Sequence, residues 1–352
     1  MRLLITTQVL DKDDAGYFGF FHAWVLEFAR HCEQVIVVCL KEGAHDLPHN
    51  VRVYSLGKPY FAKASQGAGV RLLNRFKYAA RFVRLAWHLR GEYDAVFVHM
   101  NPEYAVLMGP LWRLWGKRVV LWYLHRSVDL KLRLAVLFVT NVVSASKESF
   151  KLATKKLVIV GHGIDPMFAP VSKVPSEILR IIYWGRLSPS KCVDKTLAAV
   201  KKLVERGVAV HFSIIGSTAR PSDETYVEEL KKTAAQLPEG AVHFVGGVPH
   251  RDVPGYLADA DVCVNISTTE SMDKTVLEAM AAGVPVVASN VSFKAILGPL
   301  GLYAEDTSPE ALAKLIQRAA GVDTTPLIDY VHQNHSLPAL IPRILKVLQK
   351  QR

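Results

Sequence analysis

The chain has 352 residues, 50% of them hydrophobic and 21% charged, with a formal net charge of +11. A chain of that length fits about two domains of roughly 150 residues, and this composition excludes a peptide, a lone binding module or a long disordered chain. The charge is lopsided: residues 1–170 hold 23 Lys and Arg against 13 Asp and Glu, a net of +10, while residues 171–352 hold 20 against 19, so the first half asks for an acidic partner such as nucleic acid, anionic lipid or a phosphorylated substrate.

In chain order, short β-branched runs alternate with longer helical stretches, the signature of parallel βαβ units. Strands are predicted at 3–7, 35–40, 51–55, 95–99, 119–123, 142–145 and 157–160, making a first domain over residues 1–168. No signal-peptide pattern follows Met1 and Arg2, and no apolar run reaches eighteen residues, so a cytoplasmic protein is expected. Between them lies a helix at about 71–90 with Arg71, Arg75, Lys77, Arg81, Arg84 and Arg90 and no acid. At 100° per residue Leu72, Phe76, Ala79, Ala80, Val83 and Trp87 share one arc, with Lys77, Arg81, Arg84 and His88 on the next and Tyr78, Phe82 and Leu85 outside the apolar arc. Such a face suits an anionic membrane surface; it equally suits the solvated side of an ordinary crossover helix.

A loop carrying Pro166, Pro170 and Pro175 reads as a linker. A second strand series follows at 179–184, 210–215, 242–245, 261–266, 285–288 and 302–303, giving a second domain over 169–336. The last segment, 337–350, is an amphipathic helix with Leu340, Ile344, Leu345 and Leu348 on its stripe. Cys32, Cys39, Cys192 and Cys263 are scattered without paired spacing, so reduced thiols are expected.

The most informative stretch is 267–289, STTESMDKTVLEAMAAGVPVVAS, which follows a strand, opens a helix and returns to a strand after a Gly283–Pro285 turn. Amides around Lys274, Thr275 and Val276 would sit at a helix N-terminus, where unpaired N–H groups and the helix dipole favour a phosphate. Glu270 and Glu278 are separated by seven residues and can face one crevice, with Glu278 placed to accept hydrogen bonds from ribose hydroxyls.

These residues resemble the retaining glycosyltransferases of the GT-B fold, in particular glycosyltransferase family 4. The family's Glu, seven residues, Glu motif is matched by Glu270 and Glu278 in the context LEAMAAGVPVVAS. Tyr183, Trp184, Gly185 and Arg186, followed by Lys191, are similar to its Gly-Arg…Lys segment; Phe244, Val245 and Gly246 to its F-x-G segment; Tyr256, Ala260 and Asp261 to its Tyr-x-x-Ala-Asp helix; and Gly163, Ile164 and Asp165 to the Gly-Ile-Asp closing the first domain. His125 resembles the family histidine near the donor sugar.

The resemblance implies an α/β protein of two Rossmann-like, doubly wound domains facing across a cleft, with the helix at 337–352 crossing back to the first. It implies a nucleoside diphosphate sugar, UDP- or GDP-linked, bound mainly by the second domain and an acceptor by the first. Arg186 and Lys191 would hold the diphosphate, Glu270 would orient the sugar, and His125 would bond a sugar hydroxyl or the phosphate. Gly16, Gly19, Gly185, Val248, Ser271, Asp273, Lys274, Thr275, Val276 and Glu278 would line the donor. Retention is ascribed in this family to reaction on one face of the sugar, so no nucleophile is required. Ser271 and Asp273 stand where many members have Gly, the first loop lacks the paired glycines often found there, and His162 stands where Asn precedes Gly-Ile-Asp.

Two Asp-x-Asp matches, Asp11 with Asp13 and Asp259 with Asp261, fall where solvated or capping roles are expected, so neither a metal nor another cofactor is assigned. Neither a P-loop nor a GxGxxG fingerprint follows the first strand. The leading expectation is a metal-independent, retaining transferase acting on a glycan or lipid-linked acceptor at the inner membrane face, with no nucleic acid involved. The alternatives are a sugar-nucleotide epimerase of the same fold, or a non-catalytic protein that binds anionic surfaces or nucleic acid.

Overall fold

Val35, Ile36, Val37 and Val38 are all fully buried, although successive side chains of a strand point to opposite faces; this happens when helices cover both sides of a parallel sheet. That strand belongs to the first of two units of the computed structural model, Met1–Gly163 with Leu337–Arg352; the second is Ile164–Ser336. The structure describes residues 1–14, 18–59, 68–170, 176–218 and 220–349.

Unit 1 runs β1 (Arg2–Leu10), α1 (Phe21–His31), β2 (Gln34–Glu42), β3 (Val51–Ser55), α2 (Ala68–His88), β4 (Ala95–His99), α3 (Pro102–Leu114), β5 (Arg118–Trp122), α4 (Leu130–Phe138), β6 (Asn141–Ser144) and β7 (Leu157–Ile159). The strands are parallel, in the order β3-β2-β1-β4-β5-β6-β7. Alternation divides the core in two. Leu3, Ile5, Val35, Val37 and Phe97 pack against Trp24 and Phe28 of α1, while Leu4, Ile36, Val38, Val96 and Leu121 pack against α2, α3 and α4.

Unit 2 runs β8 (Leu179–Trp184), α5 (Val193–Glu205), β9 (Val210–Ile215), α6 (Glu224–Ala234), β10 (Val242–Gly246), α7 (Val253–Ala258), β11 (Val262–Asn265), α8 (Lys274–Ala281), β12 (Val286–Ala288), α9 (Lys294–Leu297), α10 (Pro309–Ala319) and α11 (Thr325–His335). Its five strands are parallel in the order β10-β9-β8-β11-β12. The expected sixth strand at 302–303 is a single bridge from Tyr303 to Ala288, since two residues are too few to extend a ladder. The last helix, α12 (Leu337–Gln349), belongs to unit 1 and packs beside α1 through Leu340, Ile341, Ile344 and Leu348.

The division falls after Gly163, five residues before the expected boundary at 168, because Ile164 N donates to His335 O at 2.8 Å and Ile164 bridges Ser336. Pro175 lies outside the described residues. A second difference concerns α2. Its packed stripe is Phe82 and Ala86, with Tyr78 and Leu85 half-buried, while Leu72, Phe76 and Trp87 of the expected apolar arc are exposed. Periodicity finds both stripes but does not rank them; the contacts of Phe82 with Tyr104 and Trp112 decide which one meets the sheet.

In each sheet the strand order reverses once, between β1 and β4 in unit 1 and between β8 and β11 in unit 2. Ligands of doubly wound sheets are held at the carboxyl ends of strands at such a reversal.

Candidate functional site

At the reversal in unit 2, β8 leads into Gly185 and β9 into Gly216, with φ of 148° and 142°. A Cβ on Gly216 would stand 1.8 Å from Gly185 O, so the two strand ends pass in backbone contact that only glycine permits. Tyr183 Oη donates to Arg186 O at 2.5 Å and fixes the turn that follows. Arg186 is exposed there. Five residues on, Lys191 is 7% exposed. Its Nζ donates to both oxygens of Asp273, at 2.7 and 2.8 Å.

That ion pair shapes α8. Asp273 is the residue before the helix, in extended backbone, a position from which an aspartate ordinarily accepts from first-turn amides. Here its side chain makes no cap bond, because the carboxylate is turned onto Lys191. The α8 N-terminus therefore presents the amides of Thr275 and Val276 without a side-chain cap and without an acid in the first turn. A helix end in that state is electropositive and suited to an anion.

Glu278, one turn further, is 1% exposed. Trp184 Nε1 donates to its Oε2 at 2.8 Å, His250 Nε2 lies 2.7 Å from Oε1, and Lys274 Nζ lies 3.4 Å from the same oxygen. Burial alone would raise its pKa; the nearby His250 and Lys274 charges and the hydrogen bonds from His250 and Trp184 outweigh that and hold it down to about 2. The Lys274 ammonium is pulled down to about 8, chiefly by burial, with Glu278 and Asp165 opposing. Expected at an open crevice, Glu278 is instead enclosed by three donors, because the indole preceding Gly185 reaches across to it. Its Oε2 accepts one of these bonds, and a carboxylate oxygen has two lone pairs.

The loop before α8 is pinned from outside. Ser292 Oγ donates to Glu270 O at 2.6 Å and Asn290 Nδ2 donates to Ser271 O at 2.7 Å, while Asn290 Oδ1 accepts from Ser292 N. The Glu270 side chain is half-buried. Val248 is half-buried after Gly246, whose φ is 85°, in the segment that leads to His250.

Lys191, Asp273, Lys274 and Glu278 are thus brought into direct contacts in unit 2. Trp184 as a hydrogen-bond donor, His250 and Asn290 were not foreseen. A lone His after Val248 and Pro249 has no spacing signal, and Asn290 lies one residue beyond the motif.

In unit 1, Gly19 lies in the turn before α1, half-buried, and Gly16 lies outside the described residues. His125 is exposed, with its ring 5.7 Å from that of Tyr123, which excludes a buried core histidine. His162 is 4% exposed and 6.0 Å from the Trp122 ring.

The Asp pairs have internal partners. Asp11 Oδ1 accepts from Asp13 N, and Asp261 receives Arg180 N, Nε and Nη2 at 2.8, 3.1 and 2.8 Å. Among the described residues no group of three or more His, Cys, Asp or Glu could hold a metal ion. All four cysteines are free and buried; burial pushes Cys32 up to about 11 and Cys39 up to about 12, away from thiolate chemistry.

Residues 179–321 match the family model of glycosyl transferases group 1. The chain is 30% identical over 144 residues to O-antigen chain mannosyltransferase B of Escherichia coli, a stretch that is 41% of this chain and 37% of that protein. Over 146 residues it is 32% identical to the GDP-mannose-dependent alpha-(1-6)-phosphatidylinositol dimannoside mannosyltransferase of Mycobacterium tuberculosis, covering 41% of this chain and 35% of that one. The matched segment thus spans little more than a third of either relative. Likeness over the whole chain is one of fold: the Anabaena protein HepE, solved with UDP and glucose, matches with a TM-score of 0.75 at 18% identity and covers 100% of both chains. The fold is GT-B, each unit a Rossmann-like parallel sheet with helices on both faces.

Proposed function

We propose that this chain, whose residues 179–321 belong to the glycosyl transferases of group 1, moves a sugar from a UDP- or GDP-sugar to a hydroxyl of a lipid-linked or otherwise anionic glycan. The anomeric configuration is kept, and neither metal nor other cofactor takes part. One observation carries the donor half: the cation of Lys191 stands beside an uncapped helix N-terminus at the strand-order reversal of unit 2. Two relatives named as mannosyltransferases and a structural neighbour solved with UDP and glucose support the same class of donor.

In this reading the bond between the anomeric carbon and the diphosphate oxygen breaks with its electron pair on the oxygen. Lys191, Arg186 and the amides of Thr275 and Val276 stabilise the charge that grows there, as fixed donors need no reorganisation. The acceptor hydroxyl adds to the same face of the sugar and passes its proton to an oxygen of the departing phosphate. Glu270, Ser271, Asp273 and Lys274 orient the sugar. Glu278 accepts from the ribose through the remaining Oε2 lone pair, Val248 lies against the base, and Gly185 allows the diphosphate close to the backbone. The excess of cations in residues 1–170 suits an anionic acceptor, and we place the reaction at the inner face of a membrane.

The test is thermal melting with UDP-, GDP- and ADP-sugars in EDTA, since a ligand of the folded state raises its stability, followed by NMR of the anomeric proton of the product. A shift with one nucleotide class that survives EDTA and is lost in Lys191→Met is expected, with retained configuration. No shift at millimolar donor, an inverted product or an epimerised nucleotide sugar would overturn the reading.

A further inference from the structure

The outer face of α2, α3 and α4 in unit 1 carries an apolar surface that the packing of the sheet does not use. Leu72, Phe76 and Trp87 of α2, Leu107 and Leu114 of α3, and Leu137 of α4 are each between 40% and 79% exposed. Scattered single residues of this kind are ordinary on protein surfaces; a contiguous set is not. Contiguity is visible here, since Phe76, Val83, Trp87 and Leu107 line one open hollow of about 510 Å³ between α2 and α3. The rings of Trp87 and Trp115 stand 5.2 Å apart at its end, and Arg113 Nη1 donates to Leu137 O, tying α3 to the end of α4.

Charge identifies the occupant. The three helices hold eight cations, Arg71, Arg75, Lys77, Arg81, Arg84, Arg113, Lys131 and Arg133, and one carboxylate, Glu103, which Lys131 already neutralises at 2.7 Å. The buried stripe of α2 through Phe82 and Ala86 takes one side of that helix. Its outward side divides into the apolar arc of Leu72, Phe76 and Trp87 and, next to it, the basic arc of Lys77, Arg81 and Arg84. Exposed arginines beside exposed aromatic and leucine side chains fit a layer that is anionic at its rim and apolar just beneath. A second copy of this face would bring cation against cation. A nucleic acid would leave the apolar arc in water.

We propose that this three-helix face lies on an anionic lipid bilayer, with Leu72, Phe76, Trp87 and Leu107 entering the boundary between headgroups and acyl chains and Lys77, Arg84 and Arg133 meeting headgroup phosphates. The protein is then held at the surface and does not span it; no helix of the described residues is long and apolar enough to cross a membrane. The proposal rests on the acceptor reading above only for its purpose, since a lipid-linked acceptor lies in the plane the face would occupy.

Vesicle flotation tests it on the full chain, with phosphatidylcholine alone and with phosphatidylcholine mixed with phosphatidylglycerol, whose headgroups set a negative surface potential. Wild type should float with the anionic vesicles at least tenfold more than with the neutral ones. Phe76→Ser with Trp87→Ser should lower that binding about tenfold, and Lys77→Glu with Arg84→Glu should abolish it, both with unchanged melting temperature. Equal flotation on neutral vesicles, no flotation, or a dimer in lipid-free solution that Phe76→Ser dissociates would each overturn the proposal. Thermal shift by sugar nucleotide on the same samples separates this outcome from failure of the donor reading: the surface variants should keep that shift.

Discussion

In unit 2 five charged or titratable side chains at the carboxyl edge of the sheet are largely buried and answered by one another, Lys191 by Asp273 and Glu278 by His250 and Lys274. In unit 1 the excess cations lie on outer helix faces beside exposed leucine, phenylalanine and tryptophan. The difference teaches where each kind of charge acts. A buried ion must find a partner or abandon its charge, so unit 2 holds its groups in fixed geometry and its pKa values move. An exposed arginine gains little from any single neighbour, so the cations of unit 1 act as a field and a surface.

Removing one member of the buried set should break this contrast most. Glu278→Ala leaves Lys274 and His250 without their shared anion and should cost about 3–5 kcal/mol, read as a lowered denaturant midpoint for unit 2. Glu278→Gln should cost less, as the amide oxygen still accepts from Trp184. Because the Glu278 pKa is depressed from 4.5 to about 2, its stabilisation is fully present above pH 4.5 and is lost as pH falls toward 2. The stability gap between wild type and Glu278→Gln should therefore close over that window.

Backbone contact gives the next test. Gly216→Ala forces a Cβ against Gly185 O in a left-handed conformation and should cost about 2–5 kcal/mol. In unit 1, Gly163→Ala meets only side chains, Trp24 at 2.6 Å and Leu340 at 2.8 Å, which can shift, for about 1–3 kcal/mol. Equal losses in the two variants would show that the crossing of strand ends in unit 2 is no tighter than a side-chain contact.

Lys191→Met should weaken sugar-nucleotide binding about 10- to 100-fold, the value of a charge-assisted hydrogen bond. Isothermal titration would measure this, and unchanged affinity would remove Lys191 from the donor. Cys192 adopts a φ of 42° directly after it, a conformation that favours glycine. Cys192→Gly relaxes that backbone but empties a buried position, so a thermal melt should show a change of no more than about 1 kcal/mol. Phe76→Ser, on the exposed face, should stay within about 0.5 kcal/mol of wild type by denaturant unfolding.

Much of this was legible in the order of residues. Every strand of both sheets announces itself by a β-branched run, and the reversal points follow once strand order is known. The Glu270 to Glu278 motif and the Gly185, Arg186, Lys191 segment mark out the candidate site because they are local: a strand end, a turn and a helix start lie within a few residues of one another. The sixth strand expected at 302–303 fails because two apolar residues are a signal without length.

The sequence by itself determined the two doubly wound domains and the turns that carry the candidate site, since both depend on periodicity and on short-range signals. Only the tertiary structure decided which stripe of α2 faces the sheet, that Asp273 turns from α8 to Lys191, and that Trp184 and His250 close around Glu278. The first joins Phe82 to Tyr104 and Trp112, and the other two join residues 82 to 94 positions apart, or 28 in the case of His250. They are fixed by burial and by the demand that every buried charge be answered, which no local pattern in the chain records.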